Sequence, residues 1–251
     1  MKKNGQFGFT LAEVLITLSI IGVVAAMTLP TLIQNKQDKE LIVRTKKLYS
    51  DLGNALILAQ KDLDVIGDNS ALFNTTDSSY EVAKNISKYL NAVKVCSGRS
   101  DSGCSQYYYD VRYATLRLDD NNKGDTLSIG TPTIILSNGA IVRVSNQQRP
   151  ECAKVLTSAA TDGYGRPIKN PDGSDKTITW TSYACGYFNV DVNGNRTPNQ
   201  YGRDVYEFPV YKEKLVFQTG AHVGGKSLKN IFSGYDKLEY ENYKKGASYN
   251  K

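Results

Sequence analysis

The chain has little histidine and little proline: of 251 residues one is His, at position 222, and seven are Pro. A single imidazole excludes histidine-rich metal centres, and any Ser-His-Asp or Cys-His catalysis would have to run through His222 alone. Long runs of one charge are also missing. Lys and Arg number 31 against 25 Asp and Glu, a balance of +6, and no basic run exceeds the pairs Lys2-Lys3, Lys46-Lys47 and Lys244-Lys245. That pattern argues against a dedicated nucleic-acid binder. The 21 Gly follow no collagen-like period, while 40% hydrophobic residues and 17 Tyr are too many for a disordered chain. The length allows one sizeable core with an appendage rather than several large domains.

The apolar residues concentrate at the N-terminus, where Phe9 to Ile33 holds one formal charge, Glu13, in 25 positions. As a helix this stretch reaches about 37 Å, enough to cross a hydrocarbon core of about 30 Å. Lys2 and Lys3 precede it, and by the positive-inside bias they stay cytoplasmic and send the remainder across the membrane. A cleaved secretory signal, with Val24-Ala25-Ala26 as its small-residue cut, and a plain anchor both fit this length. Glu13 stands against both, because an ionisable group in an apolar run costs about 3 kcal/mol on insertion scales and is by default functional.

Lys2-Lys3 followed by Gly8-Phe9-Thr10-Leu11-Ala12-Glu13-Val14-Leu15-Ile16 resembles the class III signal of type IV pilins and type II secretion pseudopilins. The resemblance covers the first 33 residues or so. It implies that a prepilin peptidase cuts between Gly8 and Phe9 and methylates the new amine of Phe9. Glu13 then takes the place where the family keeps a glutamate. Gly22 and Pro30 fall where the family puts a helix-weakening glycine and proline, and proline removes a backbone donor and clashes with the preceding turn. In a filament whose helices bundle in an apolar core, the Glu13 carboxylate can pair with the terminal ammonium of a neighbouring copy and set the axial stagger.

The resemblance further implies a non-enzymatic structural subunit of a pilus-like or pseudopilus filament. Its implied partners are sibling subunits, the prepilin peptidase, and an inner-membrane platform with its ATPase. Before assembly the chain would cross the inner membrane once with its head in the periplasm or outside the cell, and afterwards it would sit in the filament. The competing function is a Sec-exported or membrane-anchored extracytoplasmic binding protein that forms no filament.

Beyond Ile33 the helical pattern continues. Leu41, Thr45, Leu48, Leu52, Ala55, Leu56, Ala59 and Leu63 recur at three- and four-residue intervals, with most charges elsewhere. One helix from Phe9 to Leu63 would be roughly 80 Å long. Gly67-Asp68-Asn69-Ser70 reads as a turn, and Ser78-Ser79-Tyr80-Glu81 as a capping box opening a short helix whose Val82, Ala83, Ile86, Tyr89, Leu90 and Val93 share a face.

Strand patterns follow at 115–118, 133–136, 140–144, 177–183, 186–192, 205–211 and 214–218, with Ser137-Asn138-Gly139 as a hairpin turn. No βα alternation is visible, so the sheet is expected to be antiparallel. The expected fold is α+β and pilin-like: a long N-terminal helix, with an apolar protruding half and an amphipathic embedded half, packed on an antiparallel β-sheet head. The expected divisions are a leader at 1–8, a membrane or filament-core helix at 9–33, its amphipathic continuation at 34–63, and an extracytoplasmic head at 64–251.

Four cysteines in a head outside the cytoplasm favour two disulfides among three pairings. Cys96 with Cys104 closes a short Gly/Ser-rich loop, and Cys152 with Cys185 clips a longer excursion, so this pairing is preferred. The spacing does not suit a four-thiolate zinc site. The segment from Asp191 to Asp204 places oxygen side chains at alternate positions. Asp191, Asn193, Asn195 and Asp204 are therefore candidate ligands for a structural calcium, although no glutamate closes an EF-hand frame and ordinary turn formation explains the same composition.

Residues 220–227 match the phosphate-loop pattern G-x-x-x-x-G-K-[ST]. Only 24 residues follow Ser227, none of them a convincing buried strand, and the cytoplasmic nucleotide pool would lie on the wrong side of the membrane, so a glycine-rich surface loop is the better reading. Tyr107-Tyr108-Tyr109 with Arg112, Tyr113 and Arg117 could stack on bases, but alternating tyrosines on a half-buried sheet are commoner.

Overall fold

A computed structural model describes residues 10–112, 126–128, 130–161, 167–217, 228–235 and 237–238. The chain divides into two compact units, Met1–Glu40 and Leu41–Lys251. Helix α1, Leu11–Asp62, runs 52 residues without a break and contains Pro30.

In the first unit α1 has no apolar cover among the described residues. Leu11, Ile16, Leu18, Ile21 and Met27 are all more than half exposed. In the second unit the buried residues of α1 are Leu41, Thr45, Leu48, Leu52, Ala55, Leu56, Ala59 and Gln60. This is the stripe that the three- and four-residue spacing marks out, except that it ends at Gln60 and does not reach Leu63. The helix stops at Asp62 and Asp64 takes a positive φ of 56°, which leaves Leu63 exposed.

The stripe packs on a five-stranded antiparallel sheet. Its strands are β1 (Ala92–Cys96), β4 (Thr133–Leu136), β5 (Ile141–Asn146), β8 (Ala184–Asp191) and β9 (Val205–Tyr211), in the order β1-β4-β5-β8-β9. Ile134, Val142, Val144, Phe188, Val190, Phe208 and Val210 meet Leu52, Ala55 and Leu56 in one core. Tyr49 locks the contact. Its ring lies edge-on to Phe208 at 5.3 Å and stacks on Phe217 at 4.0 Å, and its hydroxyl donates to the Leu215 carbonyl at 2.8 Å.

Helix α2, Ser79–Ser87, opens with the capping box: Ser78 and Glu81 each bond the other's backbone N–H. It buries Val82, Ala83 and Ile86. It ends before Val93, which lies exposed on β1 rather than on the helix face. Residues 214–217 form no strand and make an isolated bridge, Leu215 to Val210. The expected strand at 115–118 and the phosphate-loop pattern at 220–227 lie outside the described residues.

Two small sheets complete the described head: β2 (Asp110–Arg112) with β3 (Thr126–Ser128), and β6 (Lys154–Ala159) with β7 (Thr177–Ser182). A short helix α3, Leu228–Ser233, buries Leu228 and Ile231. The disulfides join Cys96 to Cys104 and Cys152 to Cys185. The second lies at the base of the β6–β7 excursion.

Candidate functional site

The N-terminal helix carries the first site. Leucine, isoleucine and valine give an apolar surface, and the hydroxyls that interrupt it are turned back onto the backbone. Thr17 donates to the Glu13 carbonyl (2.9 Å), Ser19 to Leu15 (2.8 Å) and Thr28 to Val24 (2.9 Å). Such back-bonding hides polar groups from an apolar medium. Glu13 remains the one charged side chain from Thr10 to Ile33. By length and composition α1 can cross a membrane.

Thr10 caps the helix. Its backbone N–H and its hydroxyl both donate to Glu13 Oε2 at 2.8 Å, and the Glu13 N–H donates back to the Thr10 hydroxyl at 3.2 Å. This is a second capping box, Thr-x-x-Glu, legible in the sequence by the same rule that finds the one at Ser78. It fixes the Glu13 carboxylate beside the start of the helix. Gly22 faces open space and Pro30 sits mid-helix. Gly8 and Phe9 lie outside the described residues.

The second site is the loop joining β8 to β9. Because these strands are antiparallel neighbours with Asp191 opposite Val205, the loop returns Asp204 to Asp191. Both carboxylates are fully buried. Asp191 Oδ2 accepts from the Tyr109 hydroxyl at 2.6 Å, and Oδ1 from the Asn193 N–H at 3.2 Å. Asp204 accepts from the N–H groups of Gln200 (2.7 Å) and Asn199 (3.0 Å). Gly194 turns the loop with φ +72°, and a Cβ there would come within 2.4 Å of the Gly139 carbonyl oxygen.

Desolvation pushes both acids up, and Asp204 adds repulsion at Asp191, so Asp191 rises to about 8 and Asp204 to about 6. Arg143 partly offsets this at Asp191 and Arg203 at Asp204. Arg143 is itself fully buried. It lies 4.9 Å from the centre of the Tyr109 ring, and its Nη2 donates to the Tyr107 carbonyl at 3.2 Å. Burial also raises Tyr109 far above its usual range, with the Asp191 charge adding to it.

Of the four candidate cation ligands, Asp191, Asn193 and Asp204 gather at this loop, while Asn195 is exposed. The Asn193 Oδ1 atom is buried without a partner among the described residues. Asn199, which the spacing does not single out, aims its amide at the same point. Turned so that Nδ2 faces them, it donates to Arg196 O (3.0 Å), Gly194 O (3.1 Å) and Asp191 Oδ2 (3.3 Å). Asp191 Oδ2 and the Gly194 and Arg196 carbonyl oxygens thus converge on that amide, and they are oxygen donors of the kind a hard cation takes. Sequence spacing finds neither Tyr109 nor Arg143 as a partner of this loop. Tyr108 is buried and Tyr109 is engaged with Asp191, so these two rings are not free to stack on bases.

Residues 3–29 match the family model described as the prokaryotic N-terminal methylation motif. That motif is the signature of type IV pilins and pseudopilins, and the chain carries it across the start of a long helix packed on a five-stranded antiparallel sheet. Over these residues the chain is similar to type IV pilins and pseudopilins, and with the apolar helix the motif fits a membrane-anchored protein. No curated protein and no solved structure matches the chain.

Proposed function

We propose that the chain is a structural, non-enzymatic subunit of a type IV pilus-like or type II secretion pseudopilus filament. In this reading prepilin peptidase cuts after Gly8 and methylates Phe9, and the processed chain assembles through α1. The carrying observation is the methylation motif at 3–29, overlapping the start of a helix whose exposed surface from Leu11 to Ile33 is uncharged except for Glu13.

The physics of assembly follows from that one charge. In a bundle of apolar helices the carboxylate needs a counter-ion, and the ammonium of Phe9 on an adjacent copy supplies one. The Thr10 cap holds the carboxylate at the helix start. Copies placed at any other stagger leave Glu13 unpaired in apolar surroundings.

The test is mass spectrometry of the native N-terminus together with Glu13→Ala. Methyl-Phe9, and loss of filament incorporation by the variant with its head still folded, are the expected results. A chain beginning at Met27 identifies a secretory signal, an uncut Met1 a bare anchor, and either overturns the reading.

A second reading concerns the β8–β9 loop, which we infer to hold a structural calcium. Asp191, Asp204, Asn193 and the Gly194 and Arg196 carbonyls would hold it, with the Asn199 amide turned to present Oδ1 to the ion in place of its N–H groups. What supports this is two fully buried carboxylates, with the Asp204 charge adding to the cost of ionising Asp191, beside a partnerless amide oxygen among the described residues. A bound divalent ion would let both acids ionise.

A further inference from the structure

Among the described residues the β6–β7 ribbon belongs to no larger sheet, and ten of its twelve strand residues are exposed. Its strands pair without a bulge from Lys154↔Ser182 to Ala159↔Thr177. They contain one charge, Lys154, and no Pro or Gly. Val155 is 65%, Ile178 49% and Trp180 44% exposed. Natural edge strands are normally blunted by lysine, proline, a bulge or a covering element. Apart from Lys154 at its start, this ribbon has none of these among the described residues. Two strands with neither a third strand nor a covered face are marginal in water.

The ladder says which backbone groups are open. Ala160 N–H donates to the Lys176 carbonyl at 2.6 Å in the same register. Antiparallel pairs alternate, so Leu156, Ser158, Ile178 and Trp180 aim their backbone groups into the ribbon, while Thr157 and Thr179 aim theirs outward. The Thr157 and Thr179 hydroxyls, 3.0 Å apart, sit as expected of the closer, non-hydrogen-bonded pair.

We propose that this ribbon is a strand-addition surface between copies of the chain, the β6 edge of one copy pairing with the β7 edge of the next. Three features select a second copy as the occupant. The sequences of β6 and β7 already pair with each other within a copy, so the contact between copies repeats one the fold makes. The chain as a whole carries +6 and repels itself, but twelve ribbon residues with one charge let two copies approach. The two edges differ, so the contact is heterologous and can propagate from copy to copy, as a filament requires. The proposal rests on the filament reading.

Thr179→Pro removes the outward donor of the β7 edge and Thr157→Pro that of the β6 edge, while Thr179→Val and Thr157→Val keep both backbones. Each full-length variant is produced in cells carrying prepilin peptidase and an assembly platform. Sheared filament is quantified, the N-terminus read by mass spectrometry, and the melting temperature of the chain measured. The parent and the Val variants are expected to assemble. Each Pro variant should retain methyl-Phe9 and its melting temperature but yield about tenfold less filament, the factor for a lost hydrogen bond at the upper end of its usual worth.

Parental yields from both Pro variants overturn ribbon pairing and leave the filament reading standing. A parent that makes no filament and lacks methyl-Phe9 overturns both. Should a Pro variant fail to fold, Thr179→Lys decides, since it charges the edge without touching the inner ladder. A parental yield from it overturns the proposal, and a loss of yield with an unchanged melting temperature carries it.

Discussion

The Asp191–Asp204 pair makes a prediction whose sign is opposite to that of most carboxylates. An acid whose folded pKa lies above its unfolded value keeps its proton in the native state after the unfolded chain has released its own. Its contribution is fully present below the unfolded value, near 3.8, and is lost as pH rises through the folded values of about 6 for Asp204 and about 8 for Asp191. The acids with lowered values, Asp68, Glu81, Asp101 and Asp172, act the other way and have finished titrating below this window. Each retained proton costs on the order of 1.4 kcal/mol per pH unit. For a head of this size that is about 3–5 °C of melting temperature per unit, so between pH 6 and 8 the drop is on the order of 5–10 °C from Asp191 alone.

The assay is thermal unfolding of the full chain in detergent micelles at pH 5, 6, 7 and 8, with excess chelator or with calcium. In chelator the melting temperature should fall with pH. Asp191→Asn keeps the shape and an acceptor for the Tyr109 hydroxyl, and should abolish the fall between pH 6 and 8. Calcium should abolish it in the parent, because a bound cation takes the ionised form. A flat or rising melting temperature in chelator refutes the account of the buried pair, and a curve indifferent to calcium refutes the cation.

Gly186→Ala should unfold the head or cost at least about 2–3 kcal/mol. A Cβ there would lie 2.3 Å from Phe73 Cδ1 and 2.5 Å from the Ser145 carbonyl oxygen, and a melting temperature within two or three degrees of the parent would show that the sheet yields at this point. Replacing both Cys152 and Cys185 by Ser should cost about 3–4 kcal/mol, because the bond spans 33 residues, whereas the Cys96–Cys104 bond, spanning 8, should cost about 2.5 kcal/mol. Equal losses in denaturant titrations of the two double mutants would contradict the loop-length argument.

The features legible in the sequence are those set by neighbours a few residues apart. Helix α1, its buried stripe from Leu41 to Ala59, the capping box at Ser78 and the hairpin about Asn138 each depend on a local period or a local hydrogen bond, and the residues involved carry that information themselves. The methylation motif is of the same kind, since it is a string read in order. Leu63 and Val93 kept the helical period yet lie outside the helices, because a turn at Asp64 and the pairing of β1 with β4 outweighed it.

Register and sheet membership were decided only in three dimensions. The spacing marks residues 177–183 as a strand but not that its partner is β6, nor that the two stand apart from the five-stranded sheet. Asp191 and Asp204 meet because β8 and β9 pair in one particular register, which also leaves Asn195 in solvent and brings Asn199 inward. Tyr109 and Arg143 arrive from 82 and 48 residues away along the chain, 191 − 109 and 191 − 143, so no window of sequence contains the cluster they complete. Burial, the term that sets the charge of those acids, belongs to the packed head and to no single segment of it.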